Sequence, residues 1–232
     1  MIRGIIETSF IDWDGKLVMS LYTPRCNLRC PFCHNYELLE NPERYPEKSW
    51  ASVRNHLKKH SDFLDGVCIT GGEPLLEPDI EDWMKKIKAM GKLVKLDTNG
   101  TMPDILSDLI AKKLVDYVAM DVKAPLDERY SKAIGVKIDI RKIKKSIGII
   151  MKSGVDYEFR TTIVPTIHSA EDIIEIAKSL KGAKKYVIQQ FVPFHAWDEK
   201  LRDLKPYDNE TIARVADECS QYVENMVVRG LR

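Results

Sequence analysis

The sequence lacks a long hydrophobic run, a strong net charge and an export signal. No apolar stretch approaches the roughly 18–20 residues that span a bilayer, and residues 1–7 lack the apolar core of a signal peptide. The 36 basic residues against 35 acidic ones leave a net charge of +1, too weak to indicate a nucleic acid or an anionic membrane as partner. We therefore expect a cytoplasmic protein that binds neither.

The sequence also gives no sign of a disulfide framework. The number of cysteines, five, is odd, and nothing indicates export to an oxidising compartment. Three of them, Cys26, Cys30 and Cys33, lie close together in the sequence. In a reducing compartment such a group is typical of a metal site. Cys68 and Cys219 stand in apolar segments and are interpreted as small buried hydrophobic residues.

The chain does show a regular alternation of short apolar strands and amphipathic helices. A hairpin around residues 13–16 is predicted first, and six strand–helix units follow it. Right-handed crossovers between successive parallel strands curl such a sheet, but six units are fewer than a closed barrel needs. We predict an α/β fold, an incomplete, open (β/α)6 barrel with parallel strands. It forms a single domain over residues 1–232, with the hairpin and first barrel strand in 1–24 and the cysteine loop in 25–40.

The residues of chemical interest follow the predicted strand ends, where parallel α/β folds build their sites. In chain order they are the three clustered cysteines, Gly71, Gly72, Glu73, Asp97, Thr98, Asp121, Lys123, Arg160 and His195. Simpler explanations stand beside a functional role: tight turns for the glycines and Asp97, ion pairs for Asp121, Lys123 and Arg160, and a loop hydrogen bond for His195. The histidines His56, His60 and His168 are interpreted as surface residues.

The cysteine spacing, Cys26-x3-Cys30-x2-Cys33, provides three thiolates from one short loop. A [4Fe–4S] cluster held by three cysteines keeps one iron open to an exogenous molecule. A structural zinc with His34 as fourth ligand is the alternative, although Cys33 and His34 are adjacent and would have to converge on one ion. The spacing favours the cluster and leaves zinc, or no metal, open.

The cysteine loop, with Phe32 before the third cysteine and His34-Asn35 after it, resembles the signature of the radical S-adenosylmethionine (SAM) superfamily, specifically the activases of glycyl-radical enzymes. The resemblance extends along the chain through Thr70–Pro74, Leu96–Gly100, Asp121–Lys123, Arg160 and Pro193–His195. These segments are similar to those of pyruvate formate-lyase activating enzymes. Residues 8–16 resemble instead the activases of anaerobic ribonucleoside-triphosphate reductase. Arg25 and Asp14 depart from the usual glycine and proline of those families.

The resemblance implies two cofactors, a [4Fe–4S] cluster on the three cysteines and SAM. The residues that it implies for SAM are Phe32 near the adenine, Gly71, Gly72 and Glu73 at the amino group, Lys123 at the carboxylate with Asp121 orienting it or a ribose hydroxyl, Arg160, and His195 at the ribose or adenine. Asp97 and Thr98 resemble part of a monovalent-cation site.

The implied activity is reductive cleavage of SAM to a 5′-deoxyadenosyl radical, which abstracts a glycine Cα hydrogen from a partner glycyl-radical enzyme. Anaerobic ribonucleoside-triphosphate reductase is the preferred partner, and a flavodoxin- or ferredoxin-type protein is the expected electron donor. Two alternatives are kept: a radical SAM enzyme acting on a small molecule or nucleotide, and a zinc-stabilised binding module without catalysis.

Overall fold

The structure is a computed structural model and describes residues 1–231 of the chain. It divides into two compact units that interleave along the sequence. The first comprises residues 1–27, 37–98 and 104–118, and the second comprises residues 28–36, 99–103 and the described residues from 119 onwards. Among the described residues, every helix is too short or too polar to cross a bilayer.

The first unit begins with an antiparallel pair of strands. The strands of this unit are β1 (Gly4–Ser9), β2 (Val18–Thr23), β3 (Gly66–Gly71) and β4 (Leu93–Thr98). β1 and β2 are antiparallel, as the predicted hairpin requires, and β2, β3 and β4 are parallel neighbours. The helices of this part of the chain are α1 (Tyr36–Glu40), α2 (Trp50–Lys59), α3 (Ile80–Ala89) and α4 (Pro103–Ala111).

The second unit repeats the strand–helix pattern. β5 (Tyr117–Asp121) starts in the first unit and ends in the second. The remaining elements are α5 (Glu128–Ala133), α6 (Ile140–Lys152), β6 (Asp156–Ile163), α7 (Ala170–Ser179), β7 (Tyr186–Gln190), α8 (Asn209–Ser220) and β8 (Met226–Arg229). β6, β7 and β8 are parallel neighbours. Side-chain caps fix the starts of several helices, among them Asp139 of α6 and Ser169 of α7.

The strands follow one another from β1 to β8 in one mostly parallel sheet, whose pairing does not close into a ring over residues 1–231. The predicted α/β fold with an open, incomplete barrel sheet is therefore confirmed. The short helices α1 and α5 were not predicted, because neither is long enough to show an apolar periodicity.

The two faces of the β2–β4 sheet differ in polarity because side chains alternate along a strand. One face is apolar and fully buried, as Leu21, Ile69 and Leu96 show. The other face brings polar side chains into register, with Ser20 beside Cys68 and Cys68 beside Lys95. The buried state predicted for Cys68, and for Cys219 in α8, is confirmed.

Candidate functional site

The glycine pair at the end of β3 packs directly on the main chain that enters the cysteine loop. Gly71 has φ +108°, and a Cβ atom there would lie 2.5 Å from the nitrogen of Thr23. A Cβ atom on Gly72 would lie 2.0 Å from the carbonyl oxygen of Arg25. Any larger residue would therefore push this loop away, which is why glycine is needed at both positions.

Glu73 ties the glycine turn to two neighbouring segments. Its N–H donates to the carbonyl oxygen of Arg25 at 2.6 Å. Its fully buried carboxylate accepts from the Thr98 hydroxyl at 2.8 Å and from the N–H of Leu75 at 3.2 Å. The structure thus brings the predicted Glu73 and Thr98 together as positioning groups. Contact between this carboxylate and the amino group of a ligand stays a prediction.

Asp97, at the end of β4, pairs with a lysine to which the sequence analysis gave no role. Lys95 Nζ lies 2.6 Å from Asp97 Oδ1, and the Thr70 hydroxyl donates to Asp97 Oδ2 at 3.3 Å. The Cys68 thiol lies 3.7 Å from Asp97 Oδ1. A buried cation therefore already accompanies the predicted Asp97.

In the second unit the predicted Asp121, Lys123 and Arg160 form one ion-pair group. Asp121 Oδ1 accepts from Arg160 Nε at 2.8 Å, and Asp121 Oδ2 lies 3.1 Å from Lys123 Nζ. Burial by itself would raise the pKa of Asp121, but Arg160 and Lys123 outweigh it and lower this pKa from 3.8 to about 2. Asp121 is therefore a permanent anion that holds two cations in place.

Lys123 also lies beside the cysteine loop. Its Nζ is 5.8 Å from the centre of the Phe32 ring. Burial would lower the pKa of Lys123, but the negative charges of Asp121 and of the Cys30 thiolate outweigh burial and raise it. Cys30 and Phe32 are themselves buried. The structure therefore brings Phe32, Asp121, Lys123 and Arg160 together, and the Lys123 ammonium lies within electrostatic reach of Cys30.

The interpretation of His168 as a surface residue is wrong, since it is only 2% exposed. Its Nδ1 accepts from the N–H of Val164 at 3.0 Å, and its Nε2 lies 2.8 Å from the carbonyl oxygen of Lys123. Its ring also meets the edge of the Phe32 ring, with the ring centres 6.2 Å apart. The signal that was missed is its place directly before Ser169, the N-cap of α7.

Replacing His168 with leucine is expected to lower the free energy of unfolding by about 2–4 kcal/mol, because the N–H of Val164 and the carbonyl of Lys123 lose their partner and each unpaired buried group costs roughly 1–3 kcal/mol. Burial lowers the pKa of His168 below 6.5. As the pH falls below 6.5, the unfolded chain takes up a proton that the folded chain resists, so stability falls with pH. The variant should lose this part of the pH dependence.

Urea unfolding at several pH values measures both effects. The exposed His195, replaced with leucine, is the control and should change stability by less than about 0.5 kcal/mol. If the free energy of unfolding depended on pH equally in the wild type and in the His168→Leu variant, His168 would not be the source of this pH dependence.

A group of aromatic and arginine side chains, the loop clasp, holds the part of the cysteine loop that lies in the second unit. Tyr36 stacks on Trp197 with the ring centres 6.1 Å apart. Arg29 lies over the Trp197 ring, and Arg202 lies over Tyr36 while its Nη2 donates to the Tyr36 hydroxyl at 3.1 Å. None of these four residues was predicted from the sequence, because their pairing joins segments more than 150 residues apart in the chain.

His195, predicted at the ligand, is exposed. It lies on a short 3₁₀ turn, and its ring centre is 4.1 Å from that of Phe194.

The residues considered for a metal site are not gathered around one point. His34 Nε2 lies 2.8 Å from the carbonyl oxygen of Val192, so the zinc alternative would have to break this hydrogen bond or use Nδ1. Over residues 1–231, no group of three or more His, Cys, Asp or Glu side chains is arranged to hold a metal ion. Cys26 and Cys33 are half-buried.

A mostly parallel α/β sheet with a glycine turn packed against the chain that enters a three-cysteine loop is typical of enzymes that bind a ligand at the strand ends. Residues 20–180 match the Radical SAM superfamily. The chain belongs to this superfamily and is an enzyme of it, as the sequence resemblance implied.

Several relatives share most of the chain. "Putative glycyl-radical enzyme activating enzyme MJ1227" of Methanocaldococcus jannaschii is 36% identical and matches 100% of this chain and 96% of its own length. The pyruvate formate-lyase-activating enzyme of Clostridium pasteurianum is 28% identical over 90% of this chain and 92% of its own. A protein of Methanococcus aeolicus named "Probable GTP 3′,8-cyclase" is 30% identical over 94% of this chain and 72% of its own.

Solved structures confirm the fold. Streptococcus suis SuiB bound to the precursor peptide SuiA superposes with a TM-score of 0.67 at 18% identity, and the match covers 90% of this chain and 48% of SuiB. The chain therefore spans about half the length of SuiB. A domain of pyruvate-formate lyase-activating enzyme from Bacteroides vulgatus gives a TM-score of 0.57 at 19% identity, covering 71% of this chain and 99% of that domain. At these identities the likeness concerns the fold alone.

Proposed function

We propose that this enzyme activates a glycyl-radical enzyme by removing a hydrogen atom from one glycine Cα of that partner. The observation that carries the proposal is the 36% identity, over the whole chain, to the M. jannaschii protein named as an activating enzyme. The similarity to pyruvate formate-lyase-activating enzymes points to the same activity. Methionine, 5′-deoxyadenosine and a glycyl radical on the partner are the expected products.

The chain offers groups that suit a [4Fe–4S] cluster and SAM. Cys26, Cys30 and Cys33 provide three thiolates, one fewer than a coordinatively closed cluster takes. The Lys123 ammonium beside Cys30 suits the net negative charge that such a set of sulfur ligands builds up. When bound and reduced, the cluster supplies the electron that splits the S–C5′ bond of SAM. In number and charge, three cysteines with a cation in electrostatic reach therefore match the group, and their side chains would have to turn toward one another to hold it, because over residues 1–231 they are not already arranged around an ion.

The protein's own residues bind and orient the sulfonium ligand. Gly71 and Gly72 carry no side chain and open their main chain to the amino acid part of the ligand. Lys123, held by Asp121, offsets the ligand carboxylate, while the Phe32 ring provides an apolar wall for the adenine. His195 is exposed on its turn and contacts the ribose or adenine. Arg160 acts through Asp121 and keeps it ionised.

We propose a protein partner because of an exposed apolar segment at the β1–β2 turn. Phe10 and Ile11 are 76% and 86% exposed, more than any other large hydrophobic residue among the described ones. They lie in residues 8–16, the segment that resembles activases of anaerobic ribonucleoside-triphosphate reductase. This supports that reductase as the partner. A flavodoxin- or ferredoxin-type electron donor and a cytoplasmic location, where thiolates stay reduced, complete the proposal.

Replacing Phe10 and Ile11 together with serine is expected to raise the KM for the reductase about tenfold or more, because exposed aromatic and aliphatic anchors supply much of an interface's binding energy. Cleavage of SAM without partner should not change. Phe63→Ser, at a residue 47% exposed on another part of the first unit, is the matched control and should leave the KM unaltered. An unchanged KM in the double variant would exclude this segment from the partner interface.

The decisive experiment pairs the anaerobically reconstituted enzyme with candidate glycyl-radical enzymes, SAM and dithionite. A glycyl doublet in the electron paramagnetic resonance spectrum, growing with the 5′-deoxyadenosine released, is expected with the cognate partner. The reductase and pyruvate formate-lyase are tested side by side. A brown protein that cleaves SAM but produces no doublet with any partner would contradict the activase assignment.

The second candidate function is action on a nucleotide, favoured by the 30% identity to the M. aeolicus protein named as a GTP 3′,8-cyclase. That relative is longer, since the match covers 72% of it. Incubation with GTP distinguishes the two functions. GTP-dependent release of 5′-deoxyadenosine above the uncoupled rate, with no glycyl radical on any partner, would favour the nucleotide substrate.

A further inference from the structure

We infer that the Lys95 ammonium takes the place of a monovalent cation beside Asp97, so that this enzyme works without one. The sequence resemblance places a monovalent-cation site at Asp97 and Thr98, but the structure puts a protein cation there. Lys95 Nζ lies 2.6 Å from Asp97 Oδ1, and the Lys95 side chain is only 3% exposed. A lysine so deeply buried beside a carboxylate serves as its fixed counter-ion.

The strand geometry determines this placement. Lys95 and Asp97 are two residues apart on β4, so their side chains leave the same face of the sheet. Lys95 is in register with Cys68 of β3, whose Sγ lies 3.9 Å from Lys95 Nζ. The other oxygen of Asp97 accepts from the Thr70 hydroxyl at 3.3 Å. Both carboxylate oxygens of Asp97 therefore have donors from this chain.

A second cation does not fit beside this pair. It would lie within a few ångströms of the Lys95 ammonium, in a buried place where water and salt screen the repulsion poorly. Asp97 is already neutralised by the ammonium, so it offers an added ion no net charge. The Thr98 hydroxyl, the other side chain of the implied cation site, donates to the Glu73 carboxylate at 2.8 Å. The residues around Asp97 and Thr98 thus do not fit the monovalent cation that the resemblance implies.

The inference rests on the resemblance that puts a monovalent-cation site at Asp97, and only its consequence for SAM affinity rests on the proposed function. Its consequence is that sodium or potassium should affect neither the stability of the protein nor its affinity for SAM. Lys95→Met would leave the Asp97 carboxylate with a vacancy for an external cation. Binding of that cation would then stabilise the folded chain by mass action.

Thermal unfolding of the full-length, anaerobically reconstituted protein tests this in potassium chloride, sodium chloride and tetramethylammonium chloride at equal concentrations. The wild-type Tm should be the same in all three salts. The Tm of Lys95→Met should fall by several degrees, and should be about 3 °C or more higher in potassium or sodium than in tetramethylammonium. The double variant Lys95→Met/Asp97→Asn should lose this difference, because it no longer has the carboxylate.

Lys88→Met is the matched control, since it removes a half-buried lysine 2.6 Å from Asp116 in the same unit. It should show no preference among the salts. A wild-type Tm that rises specifically with potassium or sodium would overturn the inference, and so would a Lys95→Met variant indifferent to the salt. If Lys95→Met does not fold, Lys95→Gln replaces it. The comparison of the wild-type Tm in the three salts tests the inference without any variant.

Equilibrium dialysis of SAM against the same protein adds a second readout. The wild-type Kd should be equal in the three salts, whereas Lys95→Met should bind more tightly in potassium or sodium. A wild-type Kd that depends on the cation would also overturn the inference. These measurements need no partner enzyme, so failure to form a glycyl radical would count against the proposed function and leave this inference standing.

Discussion

Replacement of Cys30 with alanine is expected to abolish reductive cleavage of SAM and to lower bound iron from about four atoms per chain to less than one. The cause is the loss of one of three thiolates, after which the remaining two cannot retain a cubane cluster. Iron analysis, the visible absorption that bleaches with dithionite, and 5′-deoxyadenosine release measure the effect.

Cys219→Ala is the matched control for this experiment. Cys219 is fully buried in α8, and its thiol lies 3.8 Å from the carbonyl oxygen of Ile173. We expect this variant to lose some stability and to keep its iron and activity. If Cys30→Ala retained both iron and SAM cleavage, the cysteine assignment would be refuted.

Replacement of Lys123 with methionine is expected to lower kcat/KM for SAM cleavage by about 10²–10³-fold, as the loss of one well-placed charged donor commonly does. The cause is that the ligand carboxylate loses its counter-charge. Asp121 keeps Arg160 as a cationic partner, so its pKa rises but the carboxylate stays ionised. Single-turnover cleavage with dithionite and equilibrium binding of SAM separate the effect on cleavage from the effect on binding.

Lys184→Met provides the comparison, because Lys184 forms a half-exposed ion pair 3.4 Å from Asp156 in the same unit. Its removal should change SAM binding by less than twofold, as for most surface ion pairs. Lys123→Arg should recover part of the affinity, since it keeps the charge. Full activity of Lys123→Met, at normal iron content, would remove Lys123 from the SAM site.

Much of the fold could be predicted, because its signals are local. The turn at Gly15, the Asp139 cap of α6 and the Ser169 cap of α7 each depend on a few neighbouring residues, and the structure has all three. The alternation of buried strands and amphipathic helices then indicates a parallel sheet. The division of the chain into two compact units left no such local trace.

The candidate site was predictable only where a motif occupies consecutive residues. The glycine turn and the cysteine spacing are motifs of this kind, and the superfamily that they indicate is confirmed. The pairing of Asp121 with Arg160 joins residues 39 positions apart, and the loop clasp joins still more distant ones. Their roles at a cofactor stay predictions for the experiments above.

The sequence by itself determined the superfamily, the strand–helix order and the residue types available for chemistry, because each depends on spacing along the chain. Only the tertiary structure decided which of those residues meet. It buried His168 against the main chain of Lys123 and placed the Lys95 ammonium on Asp97. The physical reason is that burial and charge pairing depend on distances across strands, and the order of residues within one segment does not specify those distances.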